Sequence, residues 1–270
     1  MLNKKYYTNS RNSKICYSNE GKGEVVVLLH GFLENMDIWE NFSNELQKKY
    51  NVILIDLAGH GSSPLIEEVN TMELMAEEVN SLLDALEISE CVMIGHSMGA
   101  YVALAYAELY NDKLNGLGIF HSHAAADTTE GKINRGRAIQ VVKENHKDFI
   151  SSFIPELFTR KNQELYQEEI SLLQKAARSI PKESVIATLE GMRQRGDKLA
   201  LISKLRIPIM FIIGKQDSRT PLDKLFAQIE LVKHAEVLIL DDVAHMGYIE
   251  SFNKTSSFVE HFIKVCNIDN

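Results

Sequence analysis

Cysteine, tryptophan and proline are scarce in this chain, with three, one and five copies in 270 residues. Cys16, Cys91 and Cys266 form an odd, scattered set without metal-ligand spacing. That excludes a disulfide framework and a cysteine-built metal site, and reduced thiols of this kind suit a cytoplasmic protein. Long hydrophobic runs are missing too, since nothing reaches the roughly 20 apolar residues that a membrane-spanning helix needs. Residues Met1 to Arg11 are polar and lack the apolar centre of a secretory signal. Positive charge is in deficit: 29 Lys and Arg face 37 Asp and Glu, a formal net charge of −8. Such a field repels nucleic acid and anionic membranes. The glycine loops Gly21 to Gly23 and Gly59 to Gly61 lack the strand-to-helix spacing and the lysine of a phosphate loop. With no flavin or metal motif either, no cofactor is expected, and the expected ligand is a small molecule. The chain is expected to be a monomer or a homodimer.

What is present is ordinary globular material, 45% hydrophobic and 24% charged, close to the largest size that one core supports. Residues 4 to 18 read as an antiparallel hairpin at a sheet edge. Val25 to Leu29 is a continuous aliphatic run, the pattern of a strand covered on both faces. Further strands are predicted at Val52 to Ile55, Cys91 to Ile94, Gly116 to His121, Pro208 to Ile213 and Glu236 to Leu240. Helices are predicted from about Met36 to Lys49, from Asn70 to Leu86 (with Met72, Met75, Val79, Leu82 and Leu83 at helical intervals), at Leu222 to Val232 and at Phe252 to Val265. Alternation of this kind needs crossover connections and predicts an α/β fold: a doubly wound, mostly parallel sheet of about eight strands.

The alternation breaks between Ser122 and Arg206, where helical patterns recur without a convincing strand. This predicts a helical insertion at 122–206, after the sixth strand, between core portions 1–121 and 207–270. Helices are suggested at Gln163 to Ala177 and Lys182 to Met192, beside an apolar cluster of Phe149, Phe153, Ile154, Leu157 and Phe158 that Pro155 interrupts. Residues Asp127 to Lys204 hold 14 basic and 11 acidic residues, against 15 and 26 elsewhere. Mixed signs of this kind suit solvated helix faces.

The stretch Val92-Met93-Ile94-Gly95-His96-Ser97-Met98-Gly99-Ala100 joins the Cys91 strand to an Ala- and Leu-rich helix running to Tyr110. A turn this tight strains its central residue, and glycine at 95 and 99 lets the flanking backbones pass. The Ser97 hydroxyl is thereby pushed into the open beside a helix N-terminus, where unpaired N–H groups favour negative charge. The Gly-x-Ser-x-Gly pattern in this setting resembles the nucleophile elbow of the α/β-hydrolase family.

A serine nucleophile needs a base and a group that orients the base. In an open parallel sheet, the loops after the strands gather on one edge. His245, in the loop after the last predicted strand, can therefore meet Ser97. Asp217, in the loop after the Pro208 strand, lies on the same edge, although aspartate also suits a helix cap or turn. The order Ser97, Asp217, His245 is the one expected for the family. Asp127 is the substitute acid; Asp241 and Asp242 sit too close to His245 in sequence to orient its ring easily.

The resemblance extends over residues 25 to 265, and in it the insertion corresponds to the family's helical lid. His30-Gly31-Phe32 is similar to the family's His-Gly-x segment, which implies that the backbone N–H groups of Phe32 and Met98 form an oxyanion hole. The loop from Asp56 to Ser63 matches a structural loop of the family. Ala244 and Ala58 depart from common family residues without altering a catalytic atom. His96, His121, His123, Phe153 and Phe158 are candidate substrate contacts; ordinary packing is the competing reading for each, and His30 suits a structural role.

The triad implies acyl transfer, with hydrolysis of a small carboxylic ester as the first reading. Thioesters, lactones and amides fit the same chemistry. A second reading is a non-hydrolytic lyase that holds a carboxylate with Arg135, Arg137, Arg178, Arg193 or Arg195. A third is a ligand-sensing signalling protein that keeps the triad but acts by presenting its lid to a partner.

Overall fold

The computed structural model describes residues 2–266. An antiparallel hairpin of β1 (Lys5–Thr8) and β2 (Lys14–Gly21) opens the chain. It is followed by β3 (Val25–Leu29), β4 (Asn51–Ile55), β5 (Cys91–His96), β6 (Leu114–Phe120), β7 (Ile209–Gly214) and β8 (Ala235–Leu240). One eight-stranded sheet has the order β1-β2-β4-β3-β5-β6-β7-β8. Every pairing from β4 through β8 is parallel, while β2 meets β4 antiparallel. β5 and β7 are buried at every position, as continuous apolar runs require in a sheet covered on both faces. The sheet predicted from the alternating pattern is thus the sheet observed.

The helices are α1 (Glu40–Leu46), α2 (Met72–Ala85), α3 (Met98–Leu109), α4 (Thr129–Phe153), α5 (Arg160–Leu165), α6 (Gln167–Arg178), α7 (Lys182–Gln194), α8 (Leu199–Ile202), α9 (Leu222–Ile229), α10 (Gly247–Glu250) and α11 (Phe252–Cys266). The predicted Met36 helix divides into a 3-10 turn at Met36–Trp39 followed by α1. In α2, Thr71 caps the first turn by accepting from the Leu74 N–H (3.1 Å), and Met72, Met75, Val79, Leu82 and Leu83 form the buried stripe. α3 is buried on most of its circumference, which its small alanines permit.

Five helices, α4 to α8, and no strand lie between β6 and β7. Where one helix is expected over Gln163 to Ala177, two form, because Tyr166 leaves helical geometry (φ −110°, ψ 35°). The second restarts with Glu168 and Glu169 in its first turn, where the helix dipole favours acid. α4 is broken at Asn145 (φ −148°, ψ 81°), whose side-chain oxygen accepts from the Asp148 N–H and recaps the second half. The predicted core portions begin and end beyond the described residues, at Met1 and at residues 267–270. No described helix is long and apolar enough to cross a membrane.

A buried asparagine fastens α7 to the core. The Asn70 amide donates to the Ala58 carbonyl (2.7 Å) and to Thr188 Oγ1 (3.1 Å), and its backbone N–H donates to the Ala187 carbonyl. Gly191 packs directly on the Asn70 backbone, with no space for a Cβ. Asn70→Ala removes two bonds of about 1 kcal/mol each, while the Ala58 carbonyl keeps His60 Nδ1 as a donor (3.1 Å). The expected result is a loss of about 2 kcal/mol, measured by urea unfolding.

Candidate active site

The turn after β5 carries Ser97 at φ 50°, ψ −112°, a backbone conformation that L-residues rarely adopt. It persists because the surroundings hold it. The Ser97 N–H donates to the Phe120 carbonyl (2.9 Å), and Ser122 Oγ donates to the Ser97 carbonyl (2.9 Å). A Cβ on Gly95 would collide with the Gly99 backbone. One on Gly99 would sit 2.7 Å from the His30 carbonyl oxygen and closer still to that of Leu29. Ser97 itself is half-buried, at the head of α3.

The loops after β7 and β8 bring two further side chains to this hydroxyl. His245 Nε2 lies 2.8 Å from Ser97 Oγ, so the serine O–H donates to it. The other ring nitrogen of His245 donates to Asp217 Oδ2 at 2.7 Å. Asp217 is 6% and His245 5% exposed, which shields both bonds from water. Burial pushes the Asp217 carboxyl up, but the adjacent His245, the hydrogen bond it donates, His121 and Thr220 together hold it well below the usual range. Thr220 Oγ1 donates to Oδ2 (2.7 Å) and the Arg219 N–H to Oδ1 (2.8 Å). Asp217 thus holds both its own turn and the His245 ring.

On the far side of Ser97 stands the turn after β3. His30 Nε2 accepts from the Leu57 N–H (3.0 Å), which leaves the proton on Nδ1 to donate to the Gly31 carbonyl (2.8 Å). Burial pushes this ring down to about 4, in keeping with a neutral tautomer. The Gly31 N–H donates to Glu34 Oε2 (2.6 Å). Phe32 lies in the turn so held. Met98 opens α3, where the first N–H groups have no intrahelical acceptor.

The remaining candidates separate. Phe153 is half-buried, packs edge-on against Phe32 (5.9 Å between ring centres) and lies under the Arg219 guanidinium (4.8 Å). Phe158 is instead buried against Tyr166. His123 sits at the edge of the Tyr101 ring, with Arg195 stacked on that ring at 3.9 Å. Burial pushes His123 down to about 4. Two expectations need correction. His96 offers substrate nothing, because it is buried and both its nitrogens are engaged, by Glu34 and by the His245 carbonyl. His121 is also buried, with its Nδ1 3.7 Å from Asp217 Oδ2. His96 ends β5 and His121 follows β6 in a left-handed backbone conformation (φ 49°), and both rings are turned into the protein.

Asp127, the substitute acid, is committed to Arg135 and Arg195. Arg137 and Arg193 pair with Glu130 and Glu190, and Arg178 donates to Ser151 Oγ. All five arginines of the lyase reading are therefore engaged within the protein.

Sequence reasoning missed Glu34, Tyr248 and Glu250. Glu250 accepts from the Ala244 and Met246 N–H groups with one oxygen and from Thr159 and Asn162 with the other. It joins the His245 loop to the stretch between α4 and α5, and the His245 N–H itself donates to the Leu157 carbonyl (2.9 Å). Among the described residues no cluster of three or more His, Cys, Asp or Glu could hold a metal ion.

A model of the alpha/beta hydrolase fold matches residues 24–252. The chain is 27% identical to the pimeloyl-[acyl-carrier protein] methyl ester esterase of Aeromonas hydrophila, over 90% of this chain and 96% of that one. It is also 27% identical to the dihydrolipoyllysine-residue acetyltransferase component of the acetoin cleaving system of Pseudomonas putida, over 90% of its own length but only 64% of that protein's. Among solved structures, a thermophilic esterase from Thermogutta terrifontis superposes with a TM-score of 0.91 at 28% identity, covering 98% of this chain and 99% of that one. With a family match over most of its length, the chain belongs to the alpha/beta hydrolase fold family.

Proposed function

We propose that the protein is a serine hydrolase that cleaves small carboxylic esters through an acyl-enzyme on Ser97. The observation that carries this reading is the unbroken hydrogen-bond chain from Asp217 through His245 to the Ser97 hydroxyl. As Ser97 Oγ attacks the ester carbonyl carbon, its proton passes to His245 Nε2. The Asp217 carboxylate stabilises the imidazolium that forms, and the N–H groups of Phe32 and Met98 stabilise the oxyanion. Collapse expels the alcohol, protonated by His245. Water activated by the same ring then releases the acid and restores Ser97.

In this reading residues 122–206 are a cap over the site, and Phe153 beside Phe32 gives it an apolar wall. A neutral or modestly hydrophobic acyl group suits that wall. The esterases among the relatives favour ester cleavage over the lyase and sensor readings. Treatment with a fluorophosphonate tests the assignment. The expected result is one phosphonyl group per chain, located on Ser97 by peptide mass. An unlabelled chain, or a label elsewhere, would falsify the reading.

A further inference from the structure

Behind the triad lies a second histidine and carboxylate, and we propose that Glu34 and His96 are a positioning pair that clamps the oxyanion turn to the loop of the catalytic histidine. The inference rests on the serine-hydrolase reading above. His96 Nδ1 lies 2.9 Å from Glu34 Oε2 and Nε2 lies 2.9 Å from the His245 carbonyl oxygen. Both neighbours are acceptors. A neutral imidazole has one N–H and would set its lone pair against one of them, so the ring carries both protons and a positive charge. Glu34 supplies the opposite charge. Its Oε2 also accepts from the Gly31 N–H (2.6 Å) and its Oε1 from the Tyr248 hydroxyl (2.9 Å), so every donor around it favours the carboxylate.

The consequence is a fixed distance between two parts of the site that the chain itself does not join closely. Gly31 precedes Phe32 in the oxyanion turn, and His245 is the base. The pair reaches the first through a backbone N–H and the second through a backbone carbonyl. The fit at Gly31 is close: a Cβ there would stand 2.7 Å from Glu34 Oε2 and 2.9 Å from His96 Nδ1. Tyr248, on α10 just past His245, packs edge-on against the His96 ring (5.1 Å) and completes the enclosure.

Glu34→Gln keeps the shape and removes the charge. A neutral His96 can then donate to the substituted amide or to the His245 carbonyl but not to both, and one end of the clamp is released. The donors of an oxyanion hole act in the transition state, so kcat and kcat/KM should fall together while KM holds. With p-nitrophenyl butyrate as the probe, the expected fall in kcat is about 10²-fold, the low end for a lost oxyanion donor.

The pH profile separates this role from a merely structural one. The groups facing His96 are Glu34, Tyr248, His245, His121, Asp217 and His30. Burial pushes His96 down, but the charge and hydrogen bond of Glu34 outweigh it and the ring stands above its ordinary value. Its charge therefore persists past the ordinary histidine range and is lost as pH rises through the raised value. Wild-type kcat should show an alkaline fall from this deprotonation, and Glu34→Gln, already without the charge, should not.

Three measurements decide the matter, all on the full chain. Glu34→Gln with wild-type kcat and the wild-type alkaline fall, in a protein whose Ser97 still takes a fluorophosphonate, overturns the clamp and leaves the hydrolase reading standing. Should Glu34→Gln not fold, Tyr248→Phe removes one bond to the same carboxylate. It is expected to lower kcat about 10-fold at constant KM, the low end for one hydrogen bond to a charged group, and unchanged kcat overturns the clamp. Nitrogen-15 histidine spectra read the pair without catalysis: two protons on His96 are expected at about pH 7, above the ordinary histidine value. A singly protonated His96 there overturns the pair whatever the enzyme does. A wild-type chain that neither turns over the ester nor takes the phosphonate overturns the hydrolase reading and the clamp's catalytic role with it.

Discussion

Ser97→Ala is expected to lower kcat for p-nitrophenyl butyrate by about 10⁶-fold, the loss typical when a triad nucleophile is removed. His245→Ala should cost about the same, and the double variant no more, because the two act as one unit. Asp217→Asn is the more informative change. An amide in this position can still bind Thr220 and the turn, so the loop should keep its shape. It can, however, present its NH2 group to His245, which puts the ring proton on Nε2, facing Ser97. The base is then unable to accept the serine proton, and a fall of about 10⁴-fold in kcat is expected with an unchanged melting temperature. Stopped assays at enzyme concentrations high enough to see the residual rate would check all four variants. An Asp217→Asn variant within tenfold of wild type would mean that another carboxylate serves His245.

Gly99→Ala should be among the most damaging single methyl additions in the protein. The added carbon would lie against the carbonyls of both Leu29 and His30, backbone atoms in the centre of the sheet that no rotamer change can move. β3 and α3 would have to separate, and both are buried. Overpacking of a core typically costs 1–3 kcal/mol where side chains can adjust, and about 4 kcal/mol is expected here, where they cannot. That is a large part of the stability of an ordinary domain. Denaturant unfolding or the yield of soluble protein would register it, and a Gly99→Ala chain as stable as wild type would show that β3 and α3 have more freedom than their packing implies.

The same closeness explains why the elbow was legible before the structure. Glycines at 95 and 99 around Ser97 answer to a local steric rule, and a local rule is visible in nine residues. Asp217 and His245 are far from Ser97 in sequence, but the parallel sheet sends every strand-end loop to one edge, so their convergence follows from topology. Glu34 has no such rule. Its partners His96 and Tyr248 stand 62 and 214 positions away, and nothing near Glu34 distinguishes it from a surface glutamate. His96 misled for a related reason: its place beside Ser97 is plain, whereas its direction depends on the strand's alternation. The helices between β6 and β7 were read least accurately. α4 buries only Ile139, Val142 and Ile150 in 25 residues, too thin a stripe to mark its extent, and its break at Asn145 depends on a side-chain cap.

The bond from the His245 N–H to the Leu157 carbonyl ties those helices to the histidine's own loop. Its donor belongs to the core and its acceptor to the helical segment, and Glu250 doubles the attachment through Thr159 and Asn162. His245 is thus held from two sides, by His96 on its carbonyl and by Leu157 on its amide. A segment with this duty is not an exchangeable module. A foreign set of helices grafted between β6 and β7 could enclose a pocket of any shape, but without a carbonyl at the place of Leu157 it would leave the histidine moored at one end. Diversification of such a fold is therefore freer along α4, α6 and α7 than in the short passage from Pro155 to Asn162, whose backbone and side chains anchor the loop of His245.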